Sequence, residues 1–568
     1  MPSFDLTSRP WLPVQLTSGE PAVLSLRDVF ARAHEVRRLA GDLATQDFAL
    51  TRLLLAIVHD ALDGPRSVAA WAGLWADSRP FTVVDGYLLR HRERFDLLHP
   101  RTPFFQTPGL RTASGEVFSL NRIVADVPNG APFFTTRLPG AERLSFAEAA
   151  RWVVHAQAYD TSGIKSGVVG DPRAKGGRAY PQGVAWAGNL GAVLVEGDTL
   201  RETLLLNLVA DDDQPATGAE DRPAWRRPPT APGAADDLAA RPAGPCDLYT
   251  WQSRRLLLHA DADGVHGVVL TYGDPLAARN MQHVEPMTAW RRSRAQEKKL
   301  GLPLVYLPRE HDPARAAWRS LEALITPAGP DTTRRGEPAG GLRPGVVDWI
   351  ARLRGERILP RDRRIRLRTF GVVYGTQQSV IDEVTGDAVS LAVPLLDDDQ
   401  ALARTAVDAI ADADRAVLAL GDLVLDLARA AGSASESGTY AARDAAYAAL
   451  DGPYRLWLDA IGEGGDPRCL RAAWQHTVRY IVGRLADEVL EAAGEAAWRG
   501  RVVSRAQGET WLNADLADLW FRARLHRALV TASDATANAT ATVPAPREPA
   551  SDVAVGPRAA SGSRKAPV

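Results

Sequence analysis

From about Asp397 the texture of this chain changes, and that change constrains the fold more than any motif does. Glycine and proline thin out, and alanine, leucine, aspartate and arginine dominate. Four helical segments are predicted, over 399–431, 438–461, 467–497 and 509–531. Gly432, then Gly462-Glu463-Gly464-Gly465-Asp466, then Gly500 fall between them. Pro467 suits the first position of the third helix, with Asp466 as its cap. Four helices joined by short connections imply an antiparallel bundle. The tail from about Ala532 is alanine, threonine, serine and proline, with few large apolar groups to bury. Such a segment cannot offset the entropy of ordering itself.

The chain before Asp397 reads differently. Trp11-Leu12-Pro13-Val14 is a compact strand end, and Val23 to Val29 leads into a helical region. Phe48, Leu50, Leu54, Ile57, Val58 and Leu62 recur near the helical period, with Asp47 or Thr45 as a cap and Gly64-Pro65 as a stop. Ser145 with Glu148 three residues on is a capping box for a helix from Phe146 to about Tyr159. Residues 210–245 read as an exposed, partly mobile loop, and 326–344 as a Pro/Gly linker. Between them, 247–310 alternates strand-like runs with turns. The expected class is α+β: a mixed α/β domain over 1–396, a four-helix bundle over 397–531 and a disordered tail over 532–568.

Composition narrows the function classes. At 568 residues, two to four domains are expected. The net charge of −2 argues against a non-specific polycation but not against a local basic patch. Two cysteines, Cys246 and Cys469, are too few for a disulfide framework, so a reducing, cytoplasmic setting is expected. The N-terminus is unlike a signal peptide, and no apolar run is long enough to cross a membrane.

Four segments carry candidate chemistry. In the first, period-2 alternation puts Arg364, Arg366 and Arg368 on one strand face and Ile365 and Leu367 on the other. The strand runs on to Gly375-Thr376-Gln377-Gln378, a turn with two amides at its tip. A basic face leading to a polar tip suits phosphate contact and groove insertion; a solvated strand with an ordinary hairpin turn fits the same residues. The second is Ser162-Gly163-Ile164-Lys165-Ser166-Gly167, whose glycines permit close backbone approach. Its spacing fails the phosphate-loop pattern, which excludes nucleotide hydrolysis on that ground. The third, Arg291 to Lys299, holds five cations that could track phosphates or simply be solvated. The fourth gathers His259, Asp261, Asp263, His266 and His283, but the calcium-loop pattern is incomplete and Asp263-Gly264 is a better hairpin turn. No nucleophile–base constellation stands out, so neither catalytic residue, metal nor cofactor is expected.

Together these pieces resemble the CasA family, the large subunit of the type I-E CRISPR Cascade surveillance complex. The resemblance rests on Phe4-Asp5-Leu6 with Pro10-Trp11-Leu12-Pro13-Val14, on His99-Pro100-Arg101-Thr102-Pro103-Phe104-Phe105-Gln106-Thr107, and on Pro132-Phe133-Phe134. It continues through Lys165-Ser166-Gly167, Leu204-Leu205-Leu206-Asn207-Leu208 and Tyr374-Gly375-Thr376-Gln377-Gln378.

The resemblance implies a non-enzymatic protein that recognises the protospacer-adjacent motif through the minor groove, opens the duplex and helps dock a separate nuclease-helicase. The implied partners are the small and backbone Cascade subunits, CRISPR RNA and target double-stranded DNA. By position, the duplex wedge falls on Gln377 and Gln378, and the minor-groove loop on Ser162, Gly163 and Ile164. The RNA-handle and complex-anchoring loop falls around Asn129, Phe133 and Phe134. The family's lysine finger falls a little before Glu285-Pro286-Met287; no lysine stands there, and Arg279 is the nearest cation. Lys165, Arg364, Arg366 and Arg368 are the expected phosphate contacts. The rival readings are a metal-dependent hydrolase or nuclease using Asp261, Asp263 and the nearby histidines, and a scaffold that binds only proteins.

Overall fold

The computed structural model describes residues 3–125, 141–210, 220–327, 340–360, 362–396, 400–433, 435–462, 465–505 and 508–530. Its first layer is a small antiparallel sheet in which Leu12–Leu16 lies between Pro21–Leu24 and Val36–Leu39.

The helix Ala44–Leu62 then threads the core, with Phe48, Leu50, Leu54, Ile57 and Val58 fully buried. Phe48 packs 5.2 Å from Phe370. Neither expected cap is used. The helix starts one residue before Thr45, from Leu43, and Thr45 Oγ1 instead meets His155 Nε2 at 3.0 Å. The acceptors reach backwards from the first turn: Gly41 N donates to Asp47 Oδ1 at 2.6 Å and Asp42 N to Gln46 Oε1 at 3.1 Å. Asp63, left-handed at φ 52°, closes the other end ahead of Gly64-Pro65. The Phe146–Tyr159 helix forms as expected, and Ser145 Oγ accepts from Glu148 N.

A second antiparallel sheet has the order Ile381–Ala392, Arg364–Tyr374, Ala192–Glu196. Its edge strand Ala192–Glu196 is buried throughout and is held by Asn207, which accepts from Val195 N and donates to Val195 O. A third unit is the hairpin Arg254–Asp261 with Gly264–Tyr272; its turn is Ala262-Asp263, one residue before the expected Asp263-Gly264, and Gly264 opens the second strand.

The expectation of an exposed, partly mobile loop over 210–245 needs correction. Residues 211–219 lie outside the described residues; much of 220–245 is exposed, as expected, but it is pinned to the body at several side chains. Trp225 is buried against Phe95 at 5.0 Å, Arg226 pairs with Asp60 at 2.6 Å, and Arg241 grips Asp247 at 2.6 Å. An indole and two paired arginines give this Pro-rich stretch enough contact to order it.

The C-terminal helices are Ala401–Ala431, Ser437–Ala460, Pro467–Glu491 and Ala514–Ala528, and the first packs against the other three. Asp466 caps the third, accepting from Arg468 N, with Pro467 at its start. That helix stops at Glu491, short of the expected 497. A short helix Glu495–Arg499 and an antiparallel hairpin, Arg501–Arg505 with Gly508–Leu512, stand between the third and fourth long helices. The bundle and the α/β part share one apolar core. Trp318 stacks on Tyr454 at 4.4 Å and donates to Asp451, while Arg455 pairs with Asp387 at 2.9 Å.

Cys246 and Cys469 are both free. Among the described residues no helix is long and apolar enough to cross a membrane.

Candidate nucleic-acid interface

Strand Arg364–Tyr374 pairs with Ile381–Ala392 along its whole length and delivers the turn Thr376–Gln378 to the end of a long hairpin. Thr376, Gln377 and Gln378 are exposed. Gln377 and Gln378 both sit in the left-handed region, at φ 54° and 57°. That conformation costs a non-glycine residue about 1–2 kcal/mol, so the surroundings must hold it.

The brace comes from the 160–165 loop. Ser162 N donates to Gln378 O at 2.7 Å. Gly163 has φ +96°, and a Cβ there would lie 3.2 Å from Ser379 Cβ. Lower on the hairpin, Tyr374 Oη donates to Tyr159 O at 2.7 Å, across a gap that Gly188 leaves open: a Cβ on it would reach 2.2 Å from the phenol oxygen. The segments expected to be the motif loop and the wedge, about two hundred residues apart in sequence, therefore form one braced surface. Ile164, 60% exposed, stands beside them.

Under that surface lies a buried ionic knot. Lys165 Nζ pairs with Asp160 at 2.7 Å, and Arg254 pairs with the same carboxylate. The Nη2 of Arg254 also donates to the carbonyls of Asp160, Thr161 and Gly183, each at 3.0 Å. Burial would raise the Asp160 pKa, but the charges of Lys165 and Arg254 outweigh it and hold the carboxyl below its usual range. Burial pulls the Lys165 pKa down to about 8. The Tyr272 hydroxyl closes the knot by donating to Gly163 O.

These partners correct one expected phosphate contact. Lys165 is 9% exposed and committed to Asp160, so it holds the loop from beneath instead of facing solvent. Of the strand arginines, Arg368 needs the same correction, whereas Arg364 and Arg366 reach solvent but stand beside carboxylates. Ile365 and Leu367 are buried, as the alternation requires. Arg364 pairs with Asp459, Arg366 meets Glu196 at 3.4 Å, and Arg368, 15% exposed, lies between Glu196 and Asp47 at 3.5 and 3.7 Å. Arg368 also precedes Tyr374 by six residues, roughly 20 Å of extended strand, so these cations neither approach the tip nor carry free charge to it.

Arg279 is exposed and makes no ion pair with another described residue; no hydrogen bond joins it to Ser162–Ile164. Its neighbour Asn280 is pinned to the Tyr306–Pro308 strand through Tyr306 N and O. Asn129, Phe133 and Phe134 lie outside the described residues. The Arg291–Lys299 run forms part of a strand and a short helix capped by Ser293, with Arg291, Lys298 and Lys299 exposed and Arg292 paired to Glu297 at 2.7 Å.

The fourth candidate disperses. Asp261 pairs with Arg143, whose hydrogen bond holds its carboxyl well below the usual range. Among the described residues no three His, Cys, Asp or Glu side chains gather where a metal could be held.

A mixed α/β body with a braced polar tip and a helical bundle behind it defines the class, and the comparisons agree on one group of CRISPR-associated proteins. Residues 5–485 match the family described as CRISPR-associated protein Cse1, and the chain belongs to that family, also called CasA. It is 31% identical to the CRISPR-associated protein CasA/Cse1 of Thermus thermophilus, over 67% of this chain and 69% of that one. The crystal structure of Thermobifida fusca Cse1 superposes with a TM-score of 0.87 at 57% identity, covering 93% of this chain and 98% of that one. Cse1 from Acidimicrobium ferrooxidans gives 0.76 at 30% identity, with the same coverage. A chain of a CRISPR RNA-guided surveillance complex shares the fold, with a TM-score of 0.59 at 22% identity over 86% of this chain and 99% of that one.

Proposed function

We propose that this chain is the large, non-catalytic subunit of a type I-E surveillance complex, which reads the protospacer-adjacent motif from the minor groove and splits the first base pairs of the target. Family membership and the shared fold with a surveillance-complex chain support the assignment to a complex. The observation that carries the finer reading is the Ser162 N to Gln378 O bond. It couples the loop that would test the motif to the tip that would enter the duplex.

In this reading Gly163 and Ile164 face the minor groove, with Arg279 as the cation beside it; Ser162, expected there too, is only 6% exposed and instead ties the loop to the glutamine tip from beneath. The groove presents mainly A·T against G·C, so several motifs would be tolerated. Gln377 and Gln378 then insert at the first base pair. Unstacking costs on the order of a few kcal/mol per step, offset by motif contacts and by guide pairing. The amides replace part of the lost hydrogen bonding, and the preset left-handed backbone keeps the tip from folding away under load.

Asn129, Phe133 and Phe134 are assigned to the RNA handle and to anchoring in the complex. The bundle over 397–531 would meet the small and backbone subunits, and the α/β part over 1–396 the target DNA and the effector nuclease-helicase, in the cytoplasm. The test is R-loop formation on linear duplex by complexes reconstituted with Gln377→Ala/Gln378→Ala. Both side chains are exposed, so folding should survive. R-loop formation should fall while binding to a pre-opened target stays; unchanged R-loop formation on linear duplex overturns the wedge.

A further inference from the structure

A cleft of about 230 Å³ opens between the Leu26–Ala31 helix and the turn that leads into the Thr82–Arg90 helix. Its floor is apolar. Phe30 and Phe81, 5% and 4% exposed, meet edge to face with ring centroids 5.8 Å apart. Its rim carries three arginines, Arg27, Arg79 and Arg201, with His34 beside them. Arg27 is matched by Asp85 at 2.6 Å, and His34 stands 3.5 Å from Glu35.

The other two cations feel carboxylates only at a distance, Arg79 that of Glu35 and Arg201 those of Glu202 and Asp77. Arg79 is exposed, and neither it nor Arg201 forms an ion pair with a described carboxylate. Arg201 is half-buried. Its Nη2 donates to the carbonyls of Leu74, Trp75 and Asp77, and its Nε is buried without an acceptor. Burial holds its guanidinium below the ordinary range. A part-desolvated guanidinium whose Nε lacks an acceptor, and whose nearest carboxylates, Glu202 and Asp77, act on it without an ion pair, leaves room for an anion in the cleft beside it.

The lining selects among anions. Carboxylates stand close to the cationic rim: Asp85 in the cleft, Glu35 next to His34, and Asp77 accepting from Arg79 N at 2.9 Å. A nucleic-acid strand repeats its charge every few ångströms and would be repelled by them. A segment with one carboxylate would not. The apolar floor accepts a side chain and offers nothing to a sugar–phosphate backbone.

We propose that this cleft binds a peptide segment of a partner protein, seating one aromatic or branched side chain against Phe30 and Phe81 and an adjacent carboxylate between Arg79 and Arg201. The site is separate from the glutamine hairpin and does not depend on the reading given to it.

The purified full chain is titrated with acetyl-phenylalanyl-aspartyl amide, followed by saturation-transfer NMR. Acetyl-phenylalanyl-asparaginyl amide, inorganic phosphate and a short single-stranded DNA serve as comparison probes. The aspartyl peptide should bind, the asparaginyl peptide about ten-fold more weakly, and Arg79→Glu should weaken the aspartyl peptide by about the same factor, one charge-assisted contact. Because Arg79 is exposed, thermal unfolding of the variant should match the wild type. Equal affinity for the two peptides, indifference to Arg79→Glu, no binding of the aspartyl peptide, or an Arg79-dependent preference for DNA or phosphate would each overturn the proposal.

Discussion

Raising the pH above 8 should draw a stabilising contribution from Lys165. Two cations, Lys165 and Arg254, share the single carboxylate of Asp160, and all three are buried. The knot therefore carries one excess positive charge out of water. Arginine keeps its proton at any accessible pH, so lysine is the group that can release it. Its pKa falls from 10.5 to about 8, with burial as the largest cause. The folded value lies below the unfolded one. Between pH 8 and 10.5 the unfolded chain thus holds more protons, and stability rises with pH. Below pH 8 both states are charged and the gain is absent. The whole span corresponds to a ceiling of about 3 kcal/mol, of which about 2 kcal/mol is present near pH 9.5. Guanidinium denaturation of the wild type and of Lys165→Met at pH 7 and near pH 9.5 measures it. Tyrosines and cysteines titrate in both proteins, so the readout is the difference between the two pH responses. The wild type should gain about 2 kcal/mol more than the variant. Equal responses would refute the claim that Lys165 is the group through which the buried knot sheds its excess charge.

Three further perturbations follow from the same contacts. Gly163→Ala puts a side chain on a left-handed residue against Ser379, at about 1–2 kcal/mol of strain, and should weaken motif-dependent binding by the assembled complex while sparing non-specific binding, as read by competition with motif-free duplex. Arg254→Lys removes the fork that holds the carbonyls of Asp160, Thr161 and Gly183. It should cost about 2–4 kcal/mol of local stability, seen as faster amide exchange over 160–165. Glu285→Gln leaves Arg52, 3% exposed and paired to it at 2.8 Å, without a counter-charge. Denaturation should show a loss of about 3–5 kcal/mol, and adding Arg52→Met should recover most of it.

How far the sequence speaks for this fold depends on how local each determinant is. The bundle was legible because helix ends are written within a few residues: Asp466 caps and Pro467 starts as expected. The hairpin turning at Ala262-Asp263 was legible to within one residue for the same reason. The hairpin Arg501–Arg505 with Gly508–Leu512 was missed although its signal was present. Val502, Val503, Thr510 and Trp511 are strand formers placed around Gly508. The helix texture on either side hid them: expecting the third helix to run to 497 and the fourth to start at 509 placed Val502 and Val503 in a linker and Thr510 and Trp511 in a helix.

The site shows the limit more sharply. Alternation located Arg364, Arg366 and Arg368 on one face, and Ile365 and Leu367 on the other, correctly. It could not say what that face meets. The answer is Glu196, Asp47 and Asp459, brought there by a neighbouring strand, the core helix and the bundle. A run of like charges has no fixed meaning until its counter-charges are placed, and those were supplied from 95 to more than 300 residues away. The same holds in reverse for Gln377 and Gln378, which look like an ordinary turn in sequence. The Ser162 N to Gln378 O bond, and a loop whose shape depends on Arg254 and Asp160, make that turn a held tip. Two consecutive non-glycine residues with positive φ, at the end of a paired hairpin and clamped from a distant loop, are a conformation that the rest of the molecule must maintain. That maintenance is the physical argument for treating the pair as a working part, and it comes from contacts that no local pattern could reveal.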